Sequence, residues 1–192
     1  MSANLGKMDS MDRAEMRTML ERNHDAAHGW ALHCSRGDRE EAADLLHSVY
    51  VQLLEKPVGF EQRSSFKTWL FAVIRKNALK RRGRLWAMRA RLRDLVLGPR
   101  QASSQEKRVF DDELRRAIQR LLEKISERQR EVLQLVFYHD LTVEQAAEVM
   151  GVSVGSARTH YQRGKQRLYE AIQKSGLRHE YIGEGIGDKA AV

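Results

Sequence analysis

Apolar residues recur at helical spacing along most of the chain, and no run of alternating β-branched residues predicts a strand. The first pattern predicts one helix from Asp12 to His33. Its apolar side consists of Met16, Leu20, Ala27, Trp30 and Ala31. Residues 1–11 are polar and mixed in charge, and we expect them to be a disordered start.

A second helix is predicted after Gly37, which breaks the first pattern, with Asp38 as its cap. Leu45, Val49 and Leu53 repeat every four residues in this helix, and a proline ends it. The apolar stripe is broad while one flank stays partly exposed. Such a helix is suited to dock another protein as well as its own core.

The next helix changes character along its length. Ser64 or Ser65 can cap it, and residues 66–74 are apolar enough to belong to a core. Between Arg75 and Arg93 there are nine Lys or Arg residues and no Asp or Glu. Such a face neutralises phosphates without reading sequence. We interpret it as a nucleic-acid surface; the alternatives are a solvated helix end or a segment that binds an acidic protein.

Two aromatic residues beside the basic run have two interpretations. Trp69 and Phe71 are able to stack on unpaired bases. A tryptophan at helical spacing among Leu and Val is more often a core residue. The sequence alone leaves both interpretations open.

The second half of the chain follows a segment without apolar periodicity. Residues 98–107, GPRQASSQEK, contain Gly, Pro and two Ser, which predicts a linker and a domain boundary. Val109–Ile125 is then predicted to be helical, and Ser126 with Gln129 forms a capping signal for the next helix.

The stretch 141–168 predicts two helices joined by a tight corner. Thr142 can cap the first helix, Gly151 can adopt the left-handed conformation that ends it, and Ser153 can cap the second. The second helix is expected to face inward through Val154, Ala157, Tyr161 and Leu168. Its outward residues are then Arg158, Thr159, Gln162, Arg163, Lys165 and Arg167.

No acidic residue lies between Val154 and Leu168, so the outer face of this helix is basic. This pattern is typical of a helix-turn-helix whose second helix enters a DNA major groove. The alternative is an amphipathic helical hairpin with a solvated basic face.

The composition narrows the class of partner and the compartment. The 192 residues carry a formal net charge of +8, with a pI near 9.8, which favours a polyanionic partner. Cys34 is the single cysteine, so no internal disulfide forms and a reducing compartment fits. No apolar run approaches the ~20 residues that span a bilayer. The start of the chain is unlike a secretory signal, and we expect a cytoplasmic protein.

We expect no catalytic activity, no cofactor and no metal. The sequence contains no phosphate-binding loop, no nucleophile motif and no convincing metal triad. His24 and His28 lie four residues apart on one helix face, followed by His33 and Cys34. A structural zinc site requires a closed tetrahedral ligand set, so scattered histidines on an amphipathic helix are the simpler interpretation.

Several of these stretches, in this order, resemble the bacterial extracytoplasmic-function (group IV) sigma factors of the sigma-70 family. EEAADLLHSVYVQLL is similar to the polymerase-docking helix of the family's second region. FEQRSSFKTWLFAVIRKNALKRRGR is similar to its promoter-melting loop and helix. ISERQREVLQLVFYHDLTVEQAAEVMGVSVGSARTHYQRGKQRL is similar to its fourth region, and the resemblance covers about residues 14–173.

The resemblance implies a division of labour between two domains. The first would dock on core RNA polymerase through Asp44, Leu45, Val49 and Leu53. It would open the −10 element with the loop 61–66 and with Arg63, Ser64, Trp69, Arg75, Lys76, Asn77, Lys80 and Arg81. The second would read the −35 element through Arg158, Thr159, Gln162 and Arg163, with Lys165 and Arg167 nearer the phosphates. The linker would thread the RNA-exit path, and an anti-sigma factor or another inhibitory or activating regulator would control the protein.

The chain departs from the family pattern at a few positions. Ala43 stands where an acidic residue is common, His47 where glutamine is usual, and Lys76 where asparagine is frequent. His160 and Gly164 replace commoner residues of the recognition helix, and Gly164 is expected to weaken that helix. A phosphate would restore the charge missing at Ala43. The candidate acceptors for it are Ser48, Ser64, Ser65 and Thr68.

The sequence therefore predicts an all-α protein with two small helical domains and a flexible linker. The predicted ranges are 12–97 for the first domain, 98–108 for the linker, 109–175 for a four-helix unit with the helix-turn-helix, and 176–192 for a flexible tail. The competing function is a stand-alone helix-turn-helix regulator that binds duplex DNA as a dimer. Such a regulator has no need of the docking helix and the basic helix in the first half.

Overall fold

The computed structural model describes residues 12–55, 60, 63–92 and 125–175. The chain forms two compact units, one within residues 1–104 and one within 105–192. All regular secondary structure in the described ranges is helical, which confirms the all-α class. The predicted linker, the N-terminal segment, the C-terminal tail and most of the helix 109–125 lie outside these ranges, so the predicted domain limits stay predictions.

Within its described residues, the first unit contains four helices: α1 (Arg13–Arg22), α2 (His24–Cys34), α3 (Arg39–Glu55) and α4 (Phe66–Leu92). The prediction of one continuous helix from Asp12 to His33 is wrong, because Asn23 separates two helices. The Asn23 side-chain amide donates to the carbonyl of Met19 at 2.8 Å, and its backbone N–H donates to Leu20 at 3.2 Å. A short amide side chain that bonds the preceding turn ends a helix locally.

The turn between α2 and α3 follows the predicted signals. Arg36 and Gly37 have φ angles of +56° and +87°, the left-handed region that glycine adopts without strain. The N–H of Gly37 donates to Leu32 at 2.9 Å. Asp38 then caps α3 by accepting a hydrogen bond from the N–H of Glu41 at 3.0 Å. Both predictions, the break at Gly37 and the cap at Asp38, are confirmed.

Trp30 lies at the centre of the first core. Its ring is fully buried, stacks on Phe71 with 5.6 Å between ring centroids, and donates through Nε1 to the Phe71 carbonyl at 3.0 Å. A buried indole N–H needs such a partner. The surrounding buried side chains come from all four helices: Met16, Leu20, Ala31, Leu45, Val49, Leu53, Leu70 and Ile74. This core fixes α3 and α4, the two helices with predicted partners, within one unit.

The second unit contains α5 (Glu127–Leu133), a π-helical turn (Gln134–Tyr138), α6 (Val143–Met150) and α7 (Val154–Ser175). Ser126 and Gln129 form the predicted capping box at the start of α5. The core consists of Ile125, Val132, Leu135, Ala146, Ala147, Met150 and Ala157. Within the described part of the chain, no helix combines the length and apolarity needed to cross a membrane.

Candidate nucleic-acid interface

The corner between α6 and α7 is fixed by backbone hydrogen bonds. Gly151 has φ +63°; its N–H donates to Glu148 at 3.1 Å, and the N–H of Val152 donates to Ala147 at 3.1 Å. This pair of bonds is a Schellman motif, which ends α6 and turns the chain sharply. Ser153 caps α7 by accepting from the N–H of Ser156 at 3.2 Å. The corner predicted from Gly151 and Ser153 is confirmed.

The start of α6 is fixed by side chains as well. The Thr142 hydroxyl accepts from the N–H of Gln145 at 3.2 Å, and the Gln145 side chain accepts from the N–H of Thr142 at 2.9 Å. This capping box satisfies two amides that the short helix cannot satisfy itself. The start of α6 is therefore determined by local hydrogen bonds, as is its end at Gly151.

α7 packs inward through small and aromatic residues. Ala157 is fully buried and Tyr161 is 9% exposed, as predicted. Val154 was predicted to face inward and does not: it opens the helix and is 36% exposed, because the buried stretch begins one turn later. Leu168 is half-buried.

Gly164 has a packing role that the sequence did not indicate. It is buried, and a Cβ added there would lie 3.1 Å from the Gln129 Cβ and 3.1 Å from the Leu133 Cδ1. Such distances are tighter than ordinary van der Waals contact, so glycine permits the close crossing of α5 and α7.

The predicted reading face of α7 lies outward. Arg158, Thr159, Gln162, Arg163 and Arg167 are exposed, and Lys165 is half-exposed. The face is therefore open to a partner along more than two helical turns. It carries cations and hydrogen-bonding groups without a carboxylate between Val154 and Leu168.

Two of these cations already have protein partners. Arg158 donates through Nη2 to the Glu144 carboxylate at 2.8 Å, and both side chains are more than half exposed. The hydrogen bond from Arg158 is the largest cause that lowers the pKa of Glu144 below its ordinary value. Arg167 donates to Gln129 Oε1 at 3.3 Å, which links the reading face to the cap of α5. The guanidinium of Arg158 is thus held over the start of α6.

The basic half of α4 supplies a second exposed cationic surface. Lys76, Lys80 and Arg84 are exposed, and Arg75 and Asn77 are half-buried. The Asn77 amide donates to the Val73 carbonyl at 3.0 Å, four residues earlier in the helix. Before α4, Arg63 is exposed and Ser64 half-buried.

Arg81 does not share this orientation. Its Nη2 donates to the Asp44 carbonyl at 2.9 Å and to the Ser48 hydroxyl at 2.8 Å, and its Nη1 lies 3.5 Å from Glu41 Oε1. In this conformation the guanidinium donors of Arg81 are directed at α3, and its assignment to DNA stays a prediction.

The two aromatic residues considered for base stacking, Trp69 and Phe71, differ in their burial. Phe71 is fully buried against Trp30, so the interpretation of Phe71 as a stacking surface for bases is wrong. Trp69 is half-buried and forms a three-ring cluster with Phe60 and Phe66, with centroid distances of 5.4 to 5.5 Å. This cluster lies at the start of α4, beside Arg63 and Ser64 in the chain.

Three of the predicted docking residues are core residues. Leu45, Val49 and Leu53 are 1%, 0% and 1% exposed, so their side chains face the unit's own core, and their assignment to polymerase docking stays a prediction. A repeat of every four residues marks the buried side of a helix, and here that side faces the unit's own core. Asp44 is exposed, and it lies on the stripe that α3 leaves open: Asp44, His47, Ser48, Val51, Gln52 and Glu55.

The sequence predicted the open stripe of α3 only as a partly exposed flank, with Asp44 as the one docking residue named on it. The last five residues of the stripe line a shallow groove of about 480 Å³, with Val51 39% exposed. The exposed positions recur at the same helical spacing as the buried ones, on the opposite side of the helix. Because these residues are a mixture of polar and apolar types, the sequence pattern did not show how far the surface extends.

Two further predictions concern a phosphate acceptor, Thr68, and a metal site at the histidines of the first unit. Thr68 is fully buried and hydrogen-bonded to Ser65 at 2.8 Å, so it is excluded as a phosphate acceptor. His24 lies 3.4 Å from the Tyr50 hydroxyl, and burial raises the pKa of Tyr50 to about 12. Among the described residues, no group of three or more His, Cys, Asp or Glu side chains is arranged to hold a metal ion.

Comparison with known families now decides the identity. The model of "Sigma-70 region 2" matches residues 19–88, and that of "Sigma-70, region 4" matches residues 115–168. One match lies in each structural unit, and together they cover more than half of the 192 residues. The chain belongs to the sigma-70 family.

Relatives of this sigma factor include RNA polymerase sigma factors named as extracytoplasmic-function (ECF) members. It is 28% identical over 159 residues to the ECF RNA polymerase sigma factor SigX of Bacillus subtilis, which covers 78% of each chain. It is 26% identical over 145 residues to the RNA polymerase sigma-H factor of Pseudomonas aeruginosa, covering 71% of this chain and 75% of the relative. The predicted family is thus confirmed.

Two solved structures share the fold of this sigma factor. The sigma factor RpoE of Bartonella quintana, in complex with the anti-sigma factor NepR, matches with a TM-score of 0.55 and 23% identity over 82% of this chain and 96% of that one. CnrH, in complex with the cytosolic domain of CnrY, matches with a TM-score of 0.59 and 20% identity over 86% and 92%. A stand-alone regulator is not favoured, because the first unit matches region 2 of the same family.

Proposed function

We propose that this sigma factor binds core RNA polymerase and directs it to promoters, with α7 reading the −35 element and the first unit opening the −10 element. The observation that carries this proposal is the open, acid-free basic face of α7, held by a capped helix-turn-helix in a chain whose other unit matches region 2. The protein would act in the cytoplasm, where polymerase is found, without catalysis of its own.

Sequence reading is assigned to the middle of α7. Arg158 and Arg163 can each form a two-pronged contact with guanine, and Gln162 and Thr159 can donate to or accept from other base edges. The Thr159 hydroxyl donates to the Gly155 carbonyl at 2.9 Å, which leaves its oxygen free to accept. Lys165 and Arg167 are nearer the ends of the face and are assigned to phosphates.

Strand opening is assigned to the start and outer side of α4. We assign capture of an unpaired base to Arg63, Ser64 and Trp69, because a flipped nucleotide is held by stacking and hydrogen bonds and these side chains can supply both. Arg75, Lys76, Asn77 and Lys80 supply the neighbouring phosphate contacts. Arg81 is removed from this set, since its hydrogen bonds go to α3.

Polymerase docking is assigned to the open stripe of α3 rather than to its buried side. Asp44 remains in the set, and Val51 supplies the exposed apolar contact within the groove. The sigma factor RpoE of Bartonella quintana is bound by the anti-sigma factor NepR in its solved complex, and we propose that an anti-sigma factor also controls this protein. Such a partner would compete for the same exposed surfaces.

Run-off transcription with purified core polymerase tests the proposal. We expect transcripts from a subset of a promoter library when the protein is added and none without it. Arg158→Ala should remove the dependence on one −35 base pair, whereas Arg128→Ala, an exposed cation on α5, should leave promoter choice unchanged. Absence of any protein-dependent transcript from uninhibited protein would reject the proposal.

A further inference from the structure

Arg81 joins the promoter-facing helix to the polymerase-facing helix. It lies in the basic half of α4, between the exposed Lys80 and residues that continue the run. Its guanidinium instead crosses to α3 and meets three acceptors on one side of that helix, spaced three and four residues apart. A planar fork with several fixed donors suits such a three-point contact, which a lysine ammonium cannot reproduce.

The contact with Ser48 fixes a residue of the docking groove. The Ser48 hydroxyl donates to the Leu45 carbonyl at 3.0 Å and accepts from Arg81 at 2.8 Å. Its proton and a lone pair are both used, so the Leu45 carbonyl and Arg81 together restrict its rotamer. Ser48 lines the groove together with His47, Val51, Gln52 and Glu55.

The contact with Asp44 fixes the backbone of the same helix. The Asp44 carbonyl lies inside α3, so it has a second lone pair available beyond its helical hydrogen bond, and Arg81 uses it at 2.9 Å. The Glu41 ion pair at 3.5 Å joins side chains that are 26% and 41% exposed, and exposed pairs of this kind contribute little. The two charge-assisted hydrogen bonds therefore carry most of the contact.

We propose that Arg81 is a positioning residue that holds the docking stripe of α3 in register with the DNA-facing side of α4. The inference rests on the proposed function, because it assigns the two helices to polymerase and promoter. Its consequence is that a cation within a DNA-binding run controls the affinity for polymerase, while its neighbour Lys80 controls the affinity for DNA.

A double-mutant cycle on the full chain tests this assignment. Arg81→Ala should lower the affinity for core polymerase on the order of tenfold, and Ser48→Ala added to it should have little further effect. Arg81→Lys should not restore the affinity. Lys80→Ala, the matched control, should leave polymerase affinity unchanged both alone and in combination with Ser48→Ala, and it should weaken DNA binding by holoenzyme.

The opposite pattern overturns the proposal. If Arg81→Ala leaves polymerase affinity unchanged and instead lowers the salt dependence of DNA binding by about one unit, Arg81 is a phosphate contact. A merely structural role would lower both affinities in proportion to the folded fraction, which circular dichroism measures on the same samples.

Failure of the proposed function is distinguishable from failure of this inference. If the wild-type protein forms no holoenzyme, the same cycle is measured on the urea unfolding of the free protein, followed by tryptophan fluorescence. Coupling between Arg81 and Ser48, with none between Lys80 and Ser48, then supports the contact without reference to polymerase. Additive effects of Arg81→Ala and Ser48→Ala would reject it.

Discussion

Gly164 is the residue where helix propensity and packing conflict. Gly164→Ala removes the cost of glycine in a helix, about 1 kcal/mol, but places a Cβ 3.1 Å from the Gln129 Cβ and the Leu133 Cδ1. The Gln129 Cβ cannot rotate away, so α5 must shift, and overpacking of this kind costs ~1–3 kcal/mol. We expect a net destabilisation of ~1 kcal/mol, measured by urea unfolding with circular dichroism.

Gly155 provides the matched control for this substitution. It lies in the first turn of α7, and a Cβ added there meets nothing within 4 Å. Gly155→Ala should therefore be neutral or stabilise the protein by up to ~1 kcal/mol. Equal effects of the two substitutions would show that the crossing of α5 and α7 does not need glycine.

Glu144 and Arg158 give a pH-dependent prediction. The pKa of Glu144 is lowered, so the carboxylate's stabilising contribution is present above its unfolded pKa, about 4.5, and is lost as the pH falls through the folded pKa. Arg158→Ala should raise the pKa of Glu144 towards its ordinary value, as measured by NMR titration of that carboxyl. Arg163→Ala should leave it unchanged. If the pKa of Glu144 is the same in Arg158→Ala as in the wild type, the Arg158–Glu144 hydrogen bond does not form in solution.

At the scale of single residues, the sequence predicted those that start or end a helix. Gly151, Ser153, Asp38 and Ser126 follow from capping chemistry and the steric map, which need only a few neighbouring residues. Arg81 did not follow, because its partners lie more than thirty residues away in sequence. Nothing in a run of Lys and Arg distinguishes the one that turns towards another helix.

At the scale of elements, α3 presents two stripes with different consequences. Leu53 is 1% exposed, so Leu53→Ala should destabilise the first unit by ~2–5 kcal/mol. Val51 is 39% exposed, so Val51→Glu should change stability by less than ~0.5 kcal/mol. Tryptophan fluorescence follows the unfolding, since all three Trp residues precede the second unit.

The same pair separates folding from docking. Val51→Glu places a charge in the apolar part of the groove and should weaken the complex with core polymerase roughly tenfold. Under conditions in which the Leu53→Ala variant is folded, its affinity for core polymerase should be close to that of the wild type. A Val51→Glu variant that binds polymerase normally would contradict the assignment of the docking stripe.

Periodicity predicted which helices exist better than it predicted where they end and which side is open. The pattern from Asp12 to His33 continues through Asn23 because apolar spacing resumes in phase, although the helix does not. The π-helical turn after α5 is likewise invisible to periodicity, since it adds one residue per turn and leaves Phe137 40% exposed. On α3, exposed residues such as Asp44 and Gln52 are next to buried ones in the sequence. Which of two such neighbours is buried depends on where the other helices pack.

At the scale of the whole molecule, the described residues carry exposed positive charge on two helix faces. One is the outer side of α4 and the other is the outer face of α7, and each belongs to a different unit. Fold, family and this division were predictable, because several motifs occur in a fixed order. The individual contacts of each surface were not, because they depend on tertiary partners.

This division predicts how salt affects promoter binding. Each phosphate that a protein neutralises releases counterions, so the logarithm of affinity falls linearly with the logarithm of salt concentration. Lys165 and Arg167 are assigned to phosphates, and each such contact contributes about one unit to that slope. Arg167→Ala should therefore reduce the slope for holoenzyme binding to duplex −35 DNA by about one. It should weaken all −35 sequences alike.

Arg163→Ala should behave differently, because a contact with a base edge carries discrimination as well as charge. We expect it to relax the preference for one base pair by ~1–3 kcal/mol, measured by competition between promoter duplexes that differ at that position. Arg128→Ala should change neither slope nor preference, since Arg128 lies on α5 and pairs with Glu131 at 3.3 Å. If Arg163→Ala and Arg167→Ala weakened every sequence equally, α7 would be bound to the DNA backbone alone, and promoter selection would have to come from the first unit.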